Sequence, residues 1–245
     1  MNLKTNIDSC LLQIGRNKIL MKNKFRIKIV SVGDFGNSII KNFSNFNLQD
    51  VEFFDLNTDW ANIYESTNNY IKIGTKTTHG LGCGGHLSFG EKSAEEDKEK
   101  ITNILEKSDF LIIVAGFGGG TGSGASPVVA KIAKKLNVPT IAFISVPANC
   151  EGKIRCENAK QGLKNIHCHT DKLIVFYLEK YITDKANLLT LPIDVSYKDM
   201  GEIIQKSILK VIDKIIIEVQ NKKTIKKILE LVKYDLPFIE VFEGN

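Results

Sequence analysis

The sequence predicts an α/β fold: a mostly parallel sheet with helices on both faces. Three observations carry this. Short apolar runs alternate with stretches of helical character. Those runs lack the polar alternation of a sheet with one wet face. Glycine-rich segments follow the runs, where open α/β sheets place their ligands. With 43% apolar and 25% charged residues in 245, the chain can bury a core, which excludes a disordered tail or a small disulfide scaffold.

Residues 26–32 read as a buried strand running into Gly33, followed by a helix from Ser38 to Phe46. Val51 to Leu56 reads as a second strand, ending at Asn57-Thr58-Asp59. Six glycines (Gly74, Gly80, Gly82, Gly84, Gly85 and Gly90) mark 74–90 as a loop before a charged helix from Glu91 to Lys107. Phe110 to Ala115 is a continuous apolar strand. It enters a stretch, Gly116 to Gly124, in which six of nine residues are glycine. A helix is expected from about Ser126 to Leu136, and further strands at Thr140–Val146 and Leu173–Tyr177. From Tyr197 to Glu218, apolar residues at 200, 203, 204, 208, 211, 212, 215 and 216 give a wide helical stripe, hence a long, largely buried helix.

The net charge of +5, from 33 basic and 28 acidic residues, is too mild to argue for nucleic acid. The basic run at 222–227 carries no interleaved aromatic. Five cysteines form no framework spacing, so a reducing, cytoplasmic setting is expected. No leader is apparent, and no apolar run approaches the ~18 residues of a membrane span. Cys150, Cys156, His167, Cys168 and His169 fit no standard zinc spacing, so no metal-ligating set is assigned.

The stretch from Gly118 to Gly124 carries the chemistry. Between a buried strand and a helix N-terminus, glycines expose several amide N–H groups in one concave loop. The helix dipole adds partial positive charge, which suits a phosphate without any lysine. Thr121 and Ser123 add hydroxyls. The loop is no Walker motif, since no lysine occurs before Lys131, and Gly33-Asp34-Phe35-Gly36 only weakly approximates the Rossmann fingerprint.

Gly118-Gly119-Gly120-Thr121-Gly122-Ser123-Gly124 resembles the signature loop of the tubulin/FtsZ superfamily, and its continuation to Ala130 looks like bacterial FtsZ. The segment from Ile27 through Gly33 to Gly36 is similar to the family's first nucleotide loop. The segment from Val51 through Asn57-Thr58-Asp59 is similar to its second, and Gly80-Leu81-Gly82-Cys83-Gly84 to its third. Glu151-Gly152-Lys153-Ile154-Arg155 resembles its sugar-binding loop. The resemblance implies an FtsZ-like GTP-binding domain at 26–218, between an N-terminal extension at 1–25 and a divergent end at 219–245. It implies GTP or GDP with Mg²⁺ as the ligand. The implied contacts are Gly33, Asp34, Phe35, Gly36, Asn37 and Ser38 of the first loop, Asn57 of the second, Cys83 and Gly84 of the third, and Gly118 to Gly124. Glu151 is an acceptor for ribose hydroxyls, and Arg155 can meet a phosphate or the sugar edge. Tyr197, where the family usually has Phe, is placed to stack on guanine. Either Asp199 or Glu202 supplies the carboxylate for the base.

Three departures bear on function. Asp34, Phe35 and Asn37 stand where the family has mostly glycine, Ser38 where it has Asn, and Leu178 where an Asn meets the base. The family's hydrolysis loop carries two acids that complete the next subunit's site. Here the stretch is Gln220-Asn221-Lys222-Lys223-Thr224-Ile225-Lys226-Lys227, with no carboxylate between Glu218 and Glu230 in any register. One alignment puts Lys223 and Lys226 on the acids, and a shift by one puts Thr224 and Lys227 there. Lysine is a cation near pH 7 and cannot activate water as a base. The chain ends at Asn245, so the family's second domain is expected to be absent. The expected function is a GTP-binding protein in cell division or membrane remodelling. Its GTPase would be weak or partner-dependent, and its partner full-length FtsZ or a second copy. The alternatives are a non-catalytic scaffold or a truncated remnant of a polymerising GTPase.

Overall fold

The computed structural model describes residues 25–41, 43, 48, 50–61, 69–185, 193–220, 225–230, 232–234 and 236–244. The strands are β1 (Ile27–Val32), β2 (Val51–Asn57), β3 (Tyr70–Lys72), β4 (Phe110–Gly116), β5 (Thr140–Val146), β6 (Lys172–Tyr177) and β7 (Ile239–Glu243). The helices are α1 (Gly33–Lys41), α2 (Leu87–Glu96), α3 (Lys98–Leu105), α4 (Gly120–Lys135), α5 (Lys153–His167), α6 (Leu178–Lys185), α7 (Ile193–Gln220) and α8 (Ile225–Glu230). The sheet order is β3-β2-β1-β4-β5-β6-β7, parallel throughout except for the antiparallel β6–β7 pair. The mostly parallel α/β architecture expected from the sequence is therefore present.

The strands are apolar at successive positions because each feeds two cores. Phe110, Ile112 and Val114 of β4 point to the face covered by α1 and α7. Leu111, Ile113 and Ala115 point to the face covered by α2 to α5. The two-residue period of a strand makes this division automatic. Helix α7 buries Met200, Ile204, Ile208, Ile212 and Ile215 against β1, β4, β5 and β6. The α2–α4 crossing is close because two glycines meet there. A Cβ on Gly90 would lie 2.2 Å from the Gly120 carbonyl oxygen, and one on Gly124 would lie 2.2 Å from that of Leu87.

Several boundaries differ from the sequence reading. Helix α1 starts at Gly33, directly off β1, because Gly33 takes φ +76° and turns the chain within one residue. Helix α4 starts at Gly120, so only Phe117 to Gly119 form an open loop. The expected helix 91–107 begins at Leu87 and breaks at Asp97, whose carboxylate accepts the Gly74 N–H (2.7 Å) and pairs with Lys100 (2.5 Å). Helices α5, α6 and α8 and strands β3 and β7 were not anticipated. At β7, the buried Lys172 donates to the carbonyls of Leu229 and Val232 and pairs with Glu243, tying α8 and the last strand to β6.

Candidate functional site

Two strand-to-helix junctions define the site. Helix α1 leaves β1 at Gly33 and helix α4 leaves the β4 loop at Gly120, both at the carboxyl edge of the sheet. Between them lies a cavity of about 510 Å³. Gly33, Asp34 and Phe35 from the first turn of α1 line it, as do Gly120, Thr121 and Gly122 from that of α4. Two helix N-termini thus present unpaired amide donors and partial positive charge to one space. Asn57, Cys83, Gly84, Gly119, Arg155 and Tyr197 complete the expected residues that line it.

Hydroxyl and thiol contacts lock the floor. Thr58 Oγ1 lies 2.7 Å from Thr121 Oγ1 and 3.3 Å from Cys83 Sγ, joining β2, the third glycine segment and α4. Ser123 Oγ accepts the Gly118 N–H at 2.8 Å, which fixes the loop at φ +113° for Gly118. Asn158 on α5 donates to the carbonyls of Gly118 (3.1 Å) and Gly85 (2.7 Å), holding both loops from above.

The charged lining residues are Asp34, Asp59 and Arg155. Asp34 Oδ1 accepts from Asn57 Nδ2 at 2.7 Å. Burial, then the charges of Asp34, Asp59 and Asp55, push the Tyr70 hydroxyl well above its ordinary value. The Tyr197 hydroxyl donates to Glu151 Oε1 (2.5 Å) and its ring meets Phe35, next to Asp34 in the chain, edge-on at 5.5 Å. Arg155 Nε pairs with Glu151 Oε2 at 3.1 Å. Burial and the Glu151 carboxylate together raise the Tyr197 pKa far above the usual range, keeping its proton on the phenol.

The remaining expected residues lie behind or beside the cavity wall. Gly36 packs on β4, where a Cβ would lie 2.4 Å from the Val114 carbonyl oxygen. Asn37 is buried and accepts from Ser31 Oγ at 2.7 Å, while Ser38 Oγ donates to the Phe35 carbonyl. Gly118, Ser123 and Gly124 support the loop from inside. Asp199 accepts from the Tyr181 hydroxyl at 3.1 Å, and burial with that charge raises the Tyr181 pKa to about 12. Glu202 is exposed and pairs with Lys206 at 3.7 Å. Neither acid is among the lining residues, and Leu178 is fully buried in the core. Lys222 and Lys223 lie outside the described residues, Lys226 falls in α8, and Lys227 is exposed.

Sequence reasoning assigned no contact to Asp59, Gly82, Gly85, Phe117 or Ser145, which also line the cavity. Asp59, Gly82 and Gly85 stood in segments already singled out, so the signal was there. Asn158, in mid-helix, gave none.

Open α/β domains with a cavity at the carboxyl edge of a parallel sheet form the broad class defined by this fold and site. The sequence profile described as "Tubulin/FtsZ family, GTPase domain" matches residues 26–183, and the chain belongs to that family. It is 36% identical over 186 residues to cell division protein FtsZ 1 of Methanocaldococcus jannaschii, covering 76% of this chain and 50% of that protein. It is 41% identical over 163 residues to FtsZ of Buchnera aphidicola (subspecies Schizaphis graminum), covering 66% and 42%. The chain thus spans half or less of the length of these curated relatives. Among solved structures, an empty FtsZ dimer of M. jannaschii superposes with a TM-score of 0.73 at 31% identity, covering 87% of this chain and 59% of that one. CetZ1 of Haloferax volcanii shares the fold, with a TM-score of 0.65 at 24% identity over 74% and 58% of the two chains. Among the described residues, no helix is long and apolar enough to cross a membrane.

Proposed function

We propose that the chain binds GTP or GDP with Mg²⁺ between the N-termini of α1 and α4. On this reading it serves cell division or membrane remodelling as an FtsZ-like GTP-binding protein. One observation carries the reading. Of the glycines from Gly116 to Gly124, only Gly119 has neither a positive φ nor a neighbour that a Cβ would crowd. Its φ of −81° suits any residue, and a Cβ there would meet no atom within 4 Å. Room at a helix N-terminus, beside a cavity within the ~300–1,000 Å³ of ligand pockets, suits a phosphate approaching the backbone. Tyr197 and Phe35 supply an aromatic wall for a base. Asp34 and Asp59 would repel phosphates by themselves. They are hard oxygen donors suited to Mg²⁺, which when bound would offset the phosphate charge.

Hydrolysis by the chain alone should be near zero. The stretch from Val219 to Leu229 offers lysines and no carboxylate to orient an attacking water. An acidic loop from a partner such as a full-length FtsZ would have to supply it. The test is equilibrium dialysis with labelled GTP, then phosphate release across protein concentrations with and without added FtsZ. Binding near one nucleotide per chain is expected, with loss in Thr121→Arg and equal competition by ATP absent. No binding at millimolar GTP overturns the nucleotide reading. Turnover that climbs steeply with this protein's own concentration overturns the partner-dependent one.

A further inference from the structure

Three of the acceptor positions of Glu151 are already taken within the protein. A carboxylate offers about four lone-pair positions. Glu151 Oε1 already accepts the Ala148 N–H at 2.9 Å and the Tyr197 hydroxyl at 2.5 Å, which fills it. Glu151 Oε2 faces the Arg155 guanidinium at 3.1 Å, and the side chain is only 9% exposed. Arg155 in turn abuts the glycine loop, with its carbonyl oxygen 3.4 Å from where a Gly118 Cβ would stand. Glu151 is not itself a lining residue; it stands behind Arg155 and Tyr197, which line the cavity and contact it. A sugar joining phosphates at the α4 N-terminus to a base on the Tyr197 ring would pass over those two side chains, with Glu151 behind them.

We propose that the Tyr197 hydroxyl sets the sugar specificity of this site: by holding Glu151, it withholds the carboxylate from a ribose hydroxyl and lets the pocket accept 2′-deoxyribonucleotides nearly as well as ribonucleotides. The inference rests on the nucleotide reading above and adds a specificity-determining role for Tyr197. The bond it invokes is a short, charge-assisted one, of the stronger kind. On Oε1 a ribose hydroxyl must replace the phenol rather than add to it, and the one position left on Oε2 lies beside the Arg155 guanidinium on a side chain only 9% exposed, so the net gain from the 2′-hydroxyl is small. Without the phenol, the freed position on Oε1 accepts that hydroxyl, and ribose becomes preferred. The Phe35 ring contact does not need the hydroxyl, so Tyr197→Phe keeps the aromatic wall.

The experiment measures dissociation constants of GDP and 2′-deoxy-GDP for the wild-type chain and Tyr197→Phe by calorimetry. The wild type should bind the two within about threefold. Tyr197→Phe should favour GDP by about tenfold or more, since a hydrogen bond to a charged group is worth ~1.5–3 kcal/mol and each 1.4 kcal/mol is tenfold. Adding Glu151→Gln to Tyr197→Phe should erase most of that new preference. The proposal is overturned if the wild type already prefers GDP tenfold, or if Tyr197→Phe leaves the ratio unchanged. It is equally overturned if the variant loses both ligands while the wild type binds them, because the hydroxyl then supports the site instead of restricting it. If the wild type binds neither nucleotide, the nucleotide reading itself fails, which separates the two cases.

Discussion

Two glycines, Gly119 at the N-cap of α4 and Gly124 within that helix, should respond in opposite ways to a side chain. In Gly124→Ala the new Cβ would stand 2.2 Å from the Leu87 carbonyl oxygen, 2.7 Å from the Glu91 nitrogen and 3.0 Å from the Gly90 carbonyl carbon. All three are backbone atoms, so relief requires α2 and α4 to separate. Overpacking of this kind costs ~1–3 kcal/mol, and three simultaneous contacts argue for the upper part of that range. The better helix propensity of Ala offsets up to about 1 kcal/mol. The net loss of ~1–2 kcal/mol lowers Tm by roughly 2–8 °C in a chain of this size. In Gly119→Val the backbone, at φ −81° and ψ 170°, is already in the region β-branched residues prefer, and nothing lies within 4 Å. A slightly poorer N-cap and a stiffer unfolded chain nearly cancel, leaving stability within ~0.5 kcal/mol of wild type. The valine methyls would fill the space over the α4 N-terminus and weaken GDP binding at least tenfold, about 1.4 kcal/mol. Thermal unfolding without nucleotide, paired with calorimetric GDP titration, reads both numbers. If Gly119→Val binds GDP as wild type does, or unfolds as early as Gly124→Ala, the assignment of the two glycines is wrong.

Two further predictions concern the last strand. Lys172→Met removes the donor to the carbonyls of Leu229 in α8 and of Val232 just after it, and should cost ~1–3 kcal/mol in urea unfolding; an unchanged midpoint would show that water replaces the ammonium. Glu240 is held below its ordinary value of 4.5, first by the Lys180 ammonium and then by the Tyr177 hydroxyl. Its contribution is therefore full above about pH 4.5 and lost as pH falls through the lower folded value. Half-exposed, it stabilises modestly, and the urea midpoint of wild type should drop more between pH 6 and 3 than that of Glu240→Gln. Parallel curves would mean the contact contributes nothing.

The fold was legible because burial on both faces leaves its mark at every strand position. Strands β1, β4, β5 and β6 are buried at nearly every position for that reason. Strand β3 was not legible. It has only three residues and lies at an edge, with Lys72 reaching over the Trp60 ring instead of into a core. Strand β7 hid for a similar reason: only Ile239 is buried, Glu240 to Glu243 are half-buried or exposed, and its anchor, Lys172, lies far away in sequence. Helix α5 carries too few apolar residues for a stripe; its buried positions are Ala159, Gly162 and Ile166, and Gly162 is there because Phe117 leaves no room for a Cβ.

The site was legible as a location and less so as a set of contacts. Glycine content marked the region, yet most of its glycines answer to packing. Gly36 backs onto Val114, Gly122 onto Gly116, Gly120 onto Cys83 and His86, and Gly124 onto Leu87. Each would be required whether or not a ligand ever arrived. Asp34 and Phe35 sit between such fixed points, where side chains have space and point at the cavity. In this chain the departures at Asp34 and Phe35 fall where side chains have room beside the cavity, while the positions that hold the helices together remain glycine. A glycine-rich signature in this fold reports first on how closely α1, α2 and α4 approach the sheet and one another. What it says about the ligand rests on Gly119, the position where packing and backbone angle would have allowed any side chain.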